Sequence, residues 1–336
     1  MHLILDTYGA SIDREDFRFK IISGPNERSI APSRISSINL LKSATLSSAA
    51  ILLAVENNIP IIIYNRQGKP SARMWSSYFG SISSIRRNQV LYANHSDAVT
   101  FLFKIFGMKT QEQCENLNWL ADRRPAIKSE MHLATEKMRR QLDDPIEGND
   151  ISAKKSSLMN LDAVISKYYW EALSRAMGKD MPFEKRSRQP ADDPFNATIN
   201  YLYGMLYSVV EGAVIASGLD PQLGFLHADE YNEPTFVFDC IEPFRPWTDR
   251  LALELIMEKK LASSCFESEE GGTWISRAGK QVIIPAFFSN MKEATVFNGR
   301  RIKREDQIRF LCTELAQTLK EFNPNSGDGI TQPKTN

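Results

Sequence analysis

Residues 223–246, LGFLHADEYNEPTFVFDCIEPFRP, concentrate one histidine and several acids between apolar runs. His227 follows Leu-Gly-Phe-Leu, and Phe236, Val237 and Phe238 lead directly into Asp239. A carboxylate placed straight after such a run sits at the end of a buried element, where a bare charge is costly and needs a partner or a metal. Glu242 follows three residues later, so a helix whose first turn starts at Asp239 puts both acids on one face, within reach of a common ion. Pro243 is tolerated that early in a helix. A third acid lies upstream in LMNLDAVISKYYWEALSRAMG, where Leu158, Leu161, Ile165, Tyr169, Ala172 and Ala176 recur at helical spacing and Asp162 falls within their stripe. Three carboxylates and a histidine meeting in a cleft repel one another unless a cation lies among them. Oxygen ligands suit magnesium or manganese, and an imidazole in the set tilts the choice toward manganese. Plainer readings stand beside this one: His227 as a satisfied core histidine, and Asp239 as the cap of the helix that follows it.

Other chemistries find little support. The sequence has no Gly-rich dinucleotide fingerprint, phosphate loop, paired-histidine zinc helix or Gly-x-Ser-x-Gly elbow, which argues against nucleotide hydrolysis and serine chemistry. Cys114, Cys240, Cys265 and Cys312 show neither zinc-site nor redox spacing and suit a reducing compartment. The 41 basic and 41 acidic side chains cancel, so any DNA surface depends on local segregation of charge. Three stretches show it: Arg123, Arg124, Lys128, Lys137, Arg139 and Arg140; Lys185, Arg186 and Arg188; and Arg300, Arg301, Lys303 and Arg304. Each taken alone reads more simply as a solvated helix face, the usual origin of a charge run.

The elements that must position these residues divide into two kinds. At 336 residues the chain is long enough for about two domains. HLILD, FRFKIIS and IPIIIY read as short strands separated by Gly, Pro, Asn and Ser, with one helix at about Ser47 to Val55. From about Ser96 to Phe322 the apolar spacing turns helical. The expected fold class is therefore α+β, with a small N-terminal β-rich domain over 1–92 and a larger all-helical C-terminal domain over 93–322. The polar stretch 323–336 is expected to be a disordered tail. One helix is well punctuated: Asp193 can cap it, Pro194 suits its first position and Gly218 can end it. Phe195, Ile199, Leu202, Leu206, Val209, Val210 and Ala213 would form its buried face. Asn196, Asn200, Tyr203 and Tyr207 form a polar-aromatic strip suited to a ligand or to hydrogen bonds with neighbours. The apolar window AAILLAVENNIPIIIY is interrupted by Glu56, Asn57 and Asn58, short of a membrane span. MHLILDTYGASI lacks the features of a signal peptide, so a cytoplasmic protein with no membrane contact is expected.

At the acid-histidine stretch the sequence resembles the CRISPR-associated Cas-one integrase family. LGFLHADEYNEPTFVFDCIEPFRP is similar to that family's signature, a Gly-Phe-Leu-His type segment followed by an Asp-x-x-Glu-Pro-Phe-Arg-Pro type segment. DDPFNATINYLYGMLYSVVEGAVIASGLDP resembles its Asp-Pro-x-Asn helix and the Gly-Leu-Asp-Pro turn after it, and IPIIIYNRQGKP with IRRNQ resembles its strand, Gly turn and Arg-x-x-Gln segment. The likeness runs from about residue 3 to 320.

The resemblance implies a metal site in the helical domain formed by a glutamate, a histidine and an aspartate. Carried over by motif, the ligands are Asp162, His227 and Asp239, with Glu242 at a neighbouring acidic position. Asp162 stands where the family has glutamate, and Ala163 where it has glycine, so the carboxylate is one methylene shorter. The implied activity is that of a magnesium- or manganese-dependent DNA endonuclease and integrase: in spacer acquisition for antiviral defence, the 3'-hydroxyl of a donor duplex attacks a phosphodiester at the border of a CRISPR repeat. The ion would polarise the phosphoryl oxygen and stabilise the leaving 3'-oxygen. Lys185, Arg186, Arg188 and Arg245 would hold phosphates, and Tyr169 and Trp170 would stack on bases or pack beneath the site. The implied partners are double-stranded donor and repeat DNA, the small Cas-two protein and a second copy of the chain. A stand-alone nuclease acting on branched DNA, or a DNA-binding scaffold impaired by the shorter Asp162, are the alternatives.

Overall fold

The computed structural model describes residues 1–41, 44–65, 70–74, 83–177, 183–188, 190–227, 233–269 and 271–324. The expected Gly turn after IPIIIY, the acids Asp229 and Glu230, and the tail from residue 325 onward lie outside these residues. Eight strands come first, interrupted by one helix: β1 (His2–Leu5), β2 (Ala10–Glu15), β3 (Arg18–Ser23), β4 (Asn26–Ile30), β5 (Ser37–Leu40), β6 (Ala44–Leu46), α1 (Ser48–Glu56), β7 (Ile61–Tyr64) and β8 (Pro70–Met74). Then come α2 (Ser83–Ala93), α3 (Ser96–Arg123), α4 (Lys128–Asp143), α5 (Ile151–Met177), α6 (Pro194–Ala216), α7 (Thr235–Ile241) and α8 (Arg245–Met257). The hairpin β9 (Phe266–Glu269) and β10 (Gly272–Ile275), α9 (Arg277–Lys292), the hairpin β11 (Ala294–Phe297) and β12 (Arg300–Lys303), and α10 (Arg304–Glu321) complete the order.

A β-rich N-terminal region thus precedes a mostly helical remainder, as the spacing predicts. The two hairpins are additions to the all-helical expectation. The second turns on Asn298 and Gly299, both with positive φ (49° and 73°), the geometry that an Asn-Gly pair favours between twisted strands.

The chain divides into two compact units. One comprises Met1–Phe79, Leu173–Gly212 and Arg245–Glu305; the other comprises Gly80–Ala172, Ala213–Phe244 and Asp306–Asn336. In the first unit β1, β5, β7 and β8 form one sheet in that order, parallel except for β8, and β4, β3, β2 and β6 form another. Every residue of β5 is buried, as befits a central strand of parallel pairs. Ile12, Phe19, Ile38, Leu53, Ala54 and Ile61 meet in one core; complete burial of a side chain such as Phe19 contributes roughly 2–3 kcal/mol. Ser47 caps α1 by accepting from the Ala50 amide, 3.1 Å away. Within the same unit Arg73 donates to the Ser208 carbonyl (2.7 Å) and the Glu211 carboxylate (2.8 Å), fixing β8 to α6.

Helix α6 starts where its signals place it. The Asp193 carboxylate accepts from the Asn196 amide at 2.7 Å, Pro194 is the first helical residue, and Gly218 takes a left-handed φ of 78° just past the end. Its expected apolar face is buried except at Val209, which is half-buried. The strip beside that face is engaged by neighbours: Asn196 and Asn200 accept from Arg186, and Tyr203 donates to Asp249 at 2.8 Å.

In the second unit Phe225 is buried against Tyr92, Phe101 and Phe236, with ring centroids 5.3, 5.8 and 4.9 Å away. Gln89 of α2 donates to the carbonyls of Asp220 (2.9 Å) and Leu223 (3.1 Å) and accepts from the Asp220 amide (2.9 Å). These hydrogen bonds anchor the segment that leads to His227.

Candidate active site

Asp162, His227, Asp239 and Glu242 all fall in the second unit. Helix α7 begins at Thr235, four residues before the first turn that the acid spacing suggests, so Asp239 lies inside the helix and is not its cap. Phe236, Val237, Cys240 and Ile241 bury around it, and its carboxylate turns toward residues 225–227. One oxygen, Oδ2, accepts from the amides of Phe225 (2.6 Å) and Leu226 (3.1 Å). The other, Oδ1, accepts from the His227 amide (3.3 Å) and lies 2.6 Å from His227 Nδ1. A carboxylate only accepts, so Nδ1 carries a proton, and in the neutral ring, which is 40% exposed, Nε2 is then the lone-pair nitrogen.

The close wrap of this segment over α7 depends on Gly224. A Cβ there would sit 2.8 Å from the His227 carbonyl and from Thr235 Oγ1, and the Gly224 amide donates to that same hydroxyl at 3.2 Å. Lys155 of α5 adds positive charge near Asp239. Burial pushes its ammonium pKa down, opposed by the Asp239 charge, and Nζ donates to the Ala93 carbonyl at 2.7 Å.

Glu242, one turn further on, faces elsewhere. Lys109 of α3 places Nζ 2.7 Å from Glu242 Oε2 and 2.7 Å from Asp162 Oδ1. The lysine side chain is 8% exposed, Glu242 10% and Asp162 26%. Burial pushes the Lys109 ammonium pKa down, but the charges of Glu242 and Asp162 and their hydrogen bonds outweigh it, so the net shift is upward and the group is cationic.

The structure therefore brings together two pairs: Asp162 with Glu242 across Lys109, and His227 with Asp239. Among the described residues no three His, Cys, Asp or Glu side chains gather as one ligand group. The expected set of Asp162, His227 and Asp239 is corrected in one respect: Glu242, not Asp239, shares a cation with Asp162. The reason is local, since the Asp239 oxygens already accept from three amides and the imidazole.

The acidic pair fits a divalent ion. Lys109 is a stand-in cation, lodged where positive charge bridges the buried Glu242 and the half-buried Asp162 carboxylates. Magnesium commonly binds through only one or two carboxylates and keeps water for its remaining positions.

The expected DNA contacts separate by environment. Tyr169 is fully buried; its hydroxyl accepts from Asn116 (3.1 Å) and its ring meets Trp170 edge-on at 4.9 Å. It packs in the interior and offers no face to a base, which corrects the stacking expectation, while Trp170 is half-buried. Lys185, Arg186, Arg188 and Arg245 belong to the first unit. Lys185 and Arg188 are exposed. Arg186 is committed to Asn196 and Asn200 at 2.8 and 2.7 Å, and burial lowers its pKa. Arg245 lies over the Tyr203 ring, 4.8 Å from its centroid. Lys109 escapes a reading centred on acids. Its signal is a lysine on the α3 stripe of Leu102, Ile105, Phe106, Gln113 and Leu117, all buried.

This arrangement of a strand-rich region before a helical remainder is shared with solved structures. One titled "Casposase bound to integration product" matches with a TM-score of 0.79 at 20% identity, covering 98% of this chain and 96% of that one. A "Cas6-RT-Cas1--Cas2 complex" matches with a TM-score of 0.73 at 16% identity, covering 97% of this chain and 35% of that longer one. A CRISPR-associated endonuclease Cas1 from Korarchaeum cryptofilum is 24% identical over 331 residues, 95% of this chain and 94% of its own length. The chain belongs to the family described as CRISPR associated protein Cas1, whose model matches residues 3–288.

Proposed function

We propose that this protein is a CRISPR-associated integrase: with magnesium or manganese it joins the 3'-hydroxyl ends of a short donor duplex to phosphodiesters at a repeat border by transesterification. The observation that carries the reading is the pair of Glu242, buried, and Asp162, half-buried, bridged by a positive charge, in the same unit as a histidine whose Nδ1 proton is held by Asp239. Asp162 and Glu242 would hold the ion, with His227 presenting Nε2 toward the reacting region. Once bound, such an ion supplies Lewis-acid stabilisation of charge on the phosphoryl and leaving oxygens. Asp239 fixes the tautomer and orientation of His227, as a carboxylate behind an imidazole does. Lys185, Arg188 and Arg245 would hold phosphates without reading sequence. Names of similar proteins support the extension to partners: the endonuclease Cas1 relative, the casposase bound to integration product, and the complex containing Cas2. The partners proposed are double-stranded DNA, the small Cas2 protein and a second copy of this chain.

The test is a joining reaction: protein, Cas2, Mn2+, a labelled donor duplex and a repeat-bearing plasmid. Joined product should form, and Glu242→Ala or His227→Ala should abolish it. Cleavage of branched DNA without Cas2, and no joining with it, would replace integration by stand-alone nuclease action. A second reading, a DNA-binding scaffold in which another copy does the chemistry, is favoured by Lys109, which offsets one of the two acid charges without an ion. Wild-type protein that never joins DNA, alongside an active Asp162→Glu variant, would establish it.

A further inference from the structure

Lys109 projects from α3 near Phe106, with Nζ 5.9 Å from that ring's centroid and 2.7 Å from both Asp162 Oδ1 and Glu242 Oε2. The ammonium takes the place of a cation bridging two carboxylates. We infer that Lys109 is a resident counter-ion for the Asp162–Glu242 pair, and that a divalent cation enters the site by displacing it. The inference rests on the metal-dependent reading above and adds a gate made from a lysine of this chain.

The distances favour the exchange. A magnesium or manganese bond to a carboxylate oxygen is about 2.1 Å long, so an ion on Asp162 Oδ1 or Glu242 Oε2 lies within about 5 Å of the present Nζ. With the lysine side chain only 8% exposed, little water screens the two positive charges from each other. Sharing those oxygens sets the two charges against each other at close range, which favours the departure of one.

The lysine is able to go. Its four-carbon stem turns about several bonds, and Asp162, at 26% exposed, marks the more open side of the cluster. Charge favours the replacement as well. Two carboxylates and one ammonium retain one negative charge, which a divalent ion in place of the ammonium cancels. Opposing the exchange are the two short hydrogen bonds that Lys109 gives up. Without metal the acids stay paired and folded; with metal, part of the binding free energy is spent on expelling the lysine, so the apparent affinity falls.

Calorimetric titration of Mn2+ into the full chain, wild type against Lys109→Met, tests this. The variant should bind about tenfold or more tightly than wild type. It should also melt at a lower temperature in metal-free buffer and recover on adding Mn2+, at concentrations that barely shift wild type. Equal dissociation constants overturn the inference and leave the metal reading intact, because the ion would then use Asp162 Oδ2 or Glu242 Oε1 with Lys109 in place. No heat and no thermal shift in either protein overturns the metal reading and the inference together. If Lys109→Met does not fold, wild type labelled at lysine Cε and titrated with diamagnetic Mg2+ decides the matter by NMR. The Lys109 signal should move to the position of solvated lysines, and a signal unmoved at saturation overturns the inference.

Discussion

Asp239 and Glu242 are three residues apart in the chain, yet the first is held by donors from its own neighbourhood and the second by a lysine from a distant helix. Around Asp239 the amides of residues 225–227 and the His227 ring converge on one carboxylate, and Gly224 lets that segment lie close enough to do so. Backbone amides cannot be exchanged for an ion without unwrapping the segment. Around Glu242 and Asp162 the compensating charge sits on a flexible stem. One half of the site is fixed architecture, and the other is a place where one cation can replace another. A sequence reading that puts both acids on one helix face, within reach of a common ion, misses this division, because it depends on which donors the fold delivers.

Four changes sharpen or break the comparison. The largest effect is expected from Asp239→Ala, which strands three amides around a buried position and leaves the half-exposed imidazole without its acceptor; a loss of about 4 kcal/mol in urea unfolding is predicted, with no recovery on adding Mn2+. Lys109→Met leaves two acids without their counter-ion and should cost about 3 kcal/mol in metal-free buffer, but here Mn2+ should restore most of the loss. Recovery in the first variant, or its absence in the second, would erase the distinction between the two halves. Gly224→Ala forces a Cβ against the His227 carbonyl and Thr235 Oγ1. It should destabilise by about 2 kcal/mol and impair joining through a displaced His227 while leaving Mn2+ affinity nearly unchanged. The smallest change in stability, under about 1 kcal/mol, is expected for Asp162→Glu, which keeps the charge at a half-buried position and adds one methylene. Its joining activity should match or exceed wild type in the plasmid assay.

Much of the scaffold was legible because its signals are local. The cap at Asp193, the proline at 194 and the glycine at 218 bound α6 at both ends, and the run Ile61–Tyr64 forms a strand of the parallel sheet. The Asn298–Gly299 turn was equally local, but its hairpin lies between helices in a stretch read only for helical spacing. Asp162, His227, Asp239 and Glu242 stood out by residue type, since acids and a histidine beside apolar runs demand compensation. Their pairing was not legible. It depends on α7 starting at Thr235, and on α3 bringing Lys109 to a residue 53 positions away in sequence. A lysine on the buried stripe of α3 is the counterpart of the aspartate on the stripe of α5. Asking which buried base answers which buried acid would have joined the two. The burial of Tyr169 was also foreshadowed, since it belongs to the same apolar stripe as Leu158 and Ile165.

The most direct test of the central claim is an anomalous difference map from crystals soaked in Mn2+. A peak bonded to Asp162 and Glu242, with the Lys109 ammonium withdrawn from between them and the Asp239 carboxylate still on the amides of residues 225–227, is the predicted result. A peak on Asp239 instead, or none between Asp162 and Glu242 at saturating manganese, would contradict it.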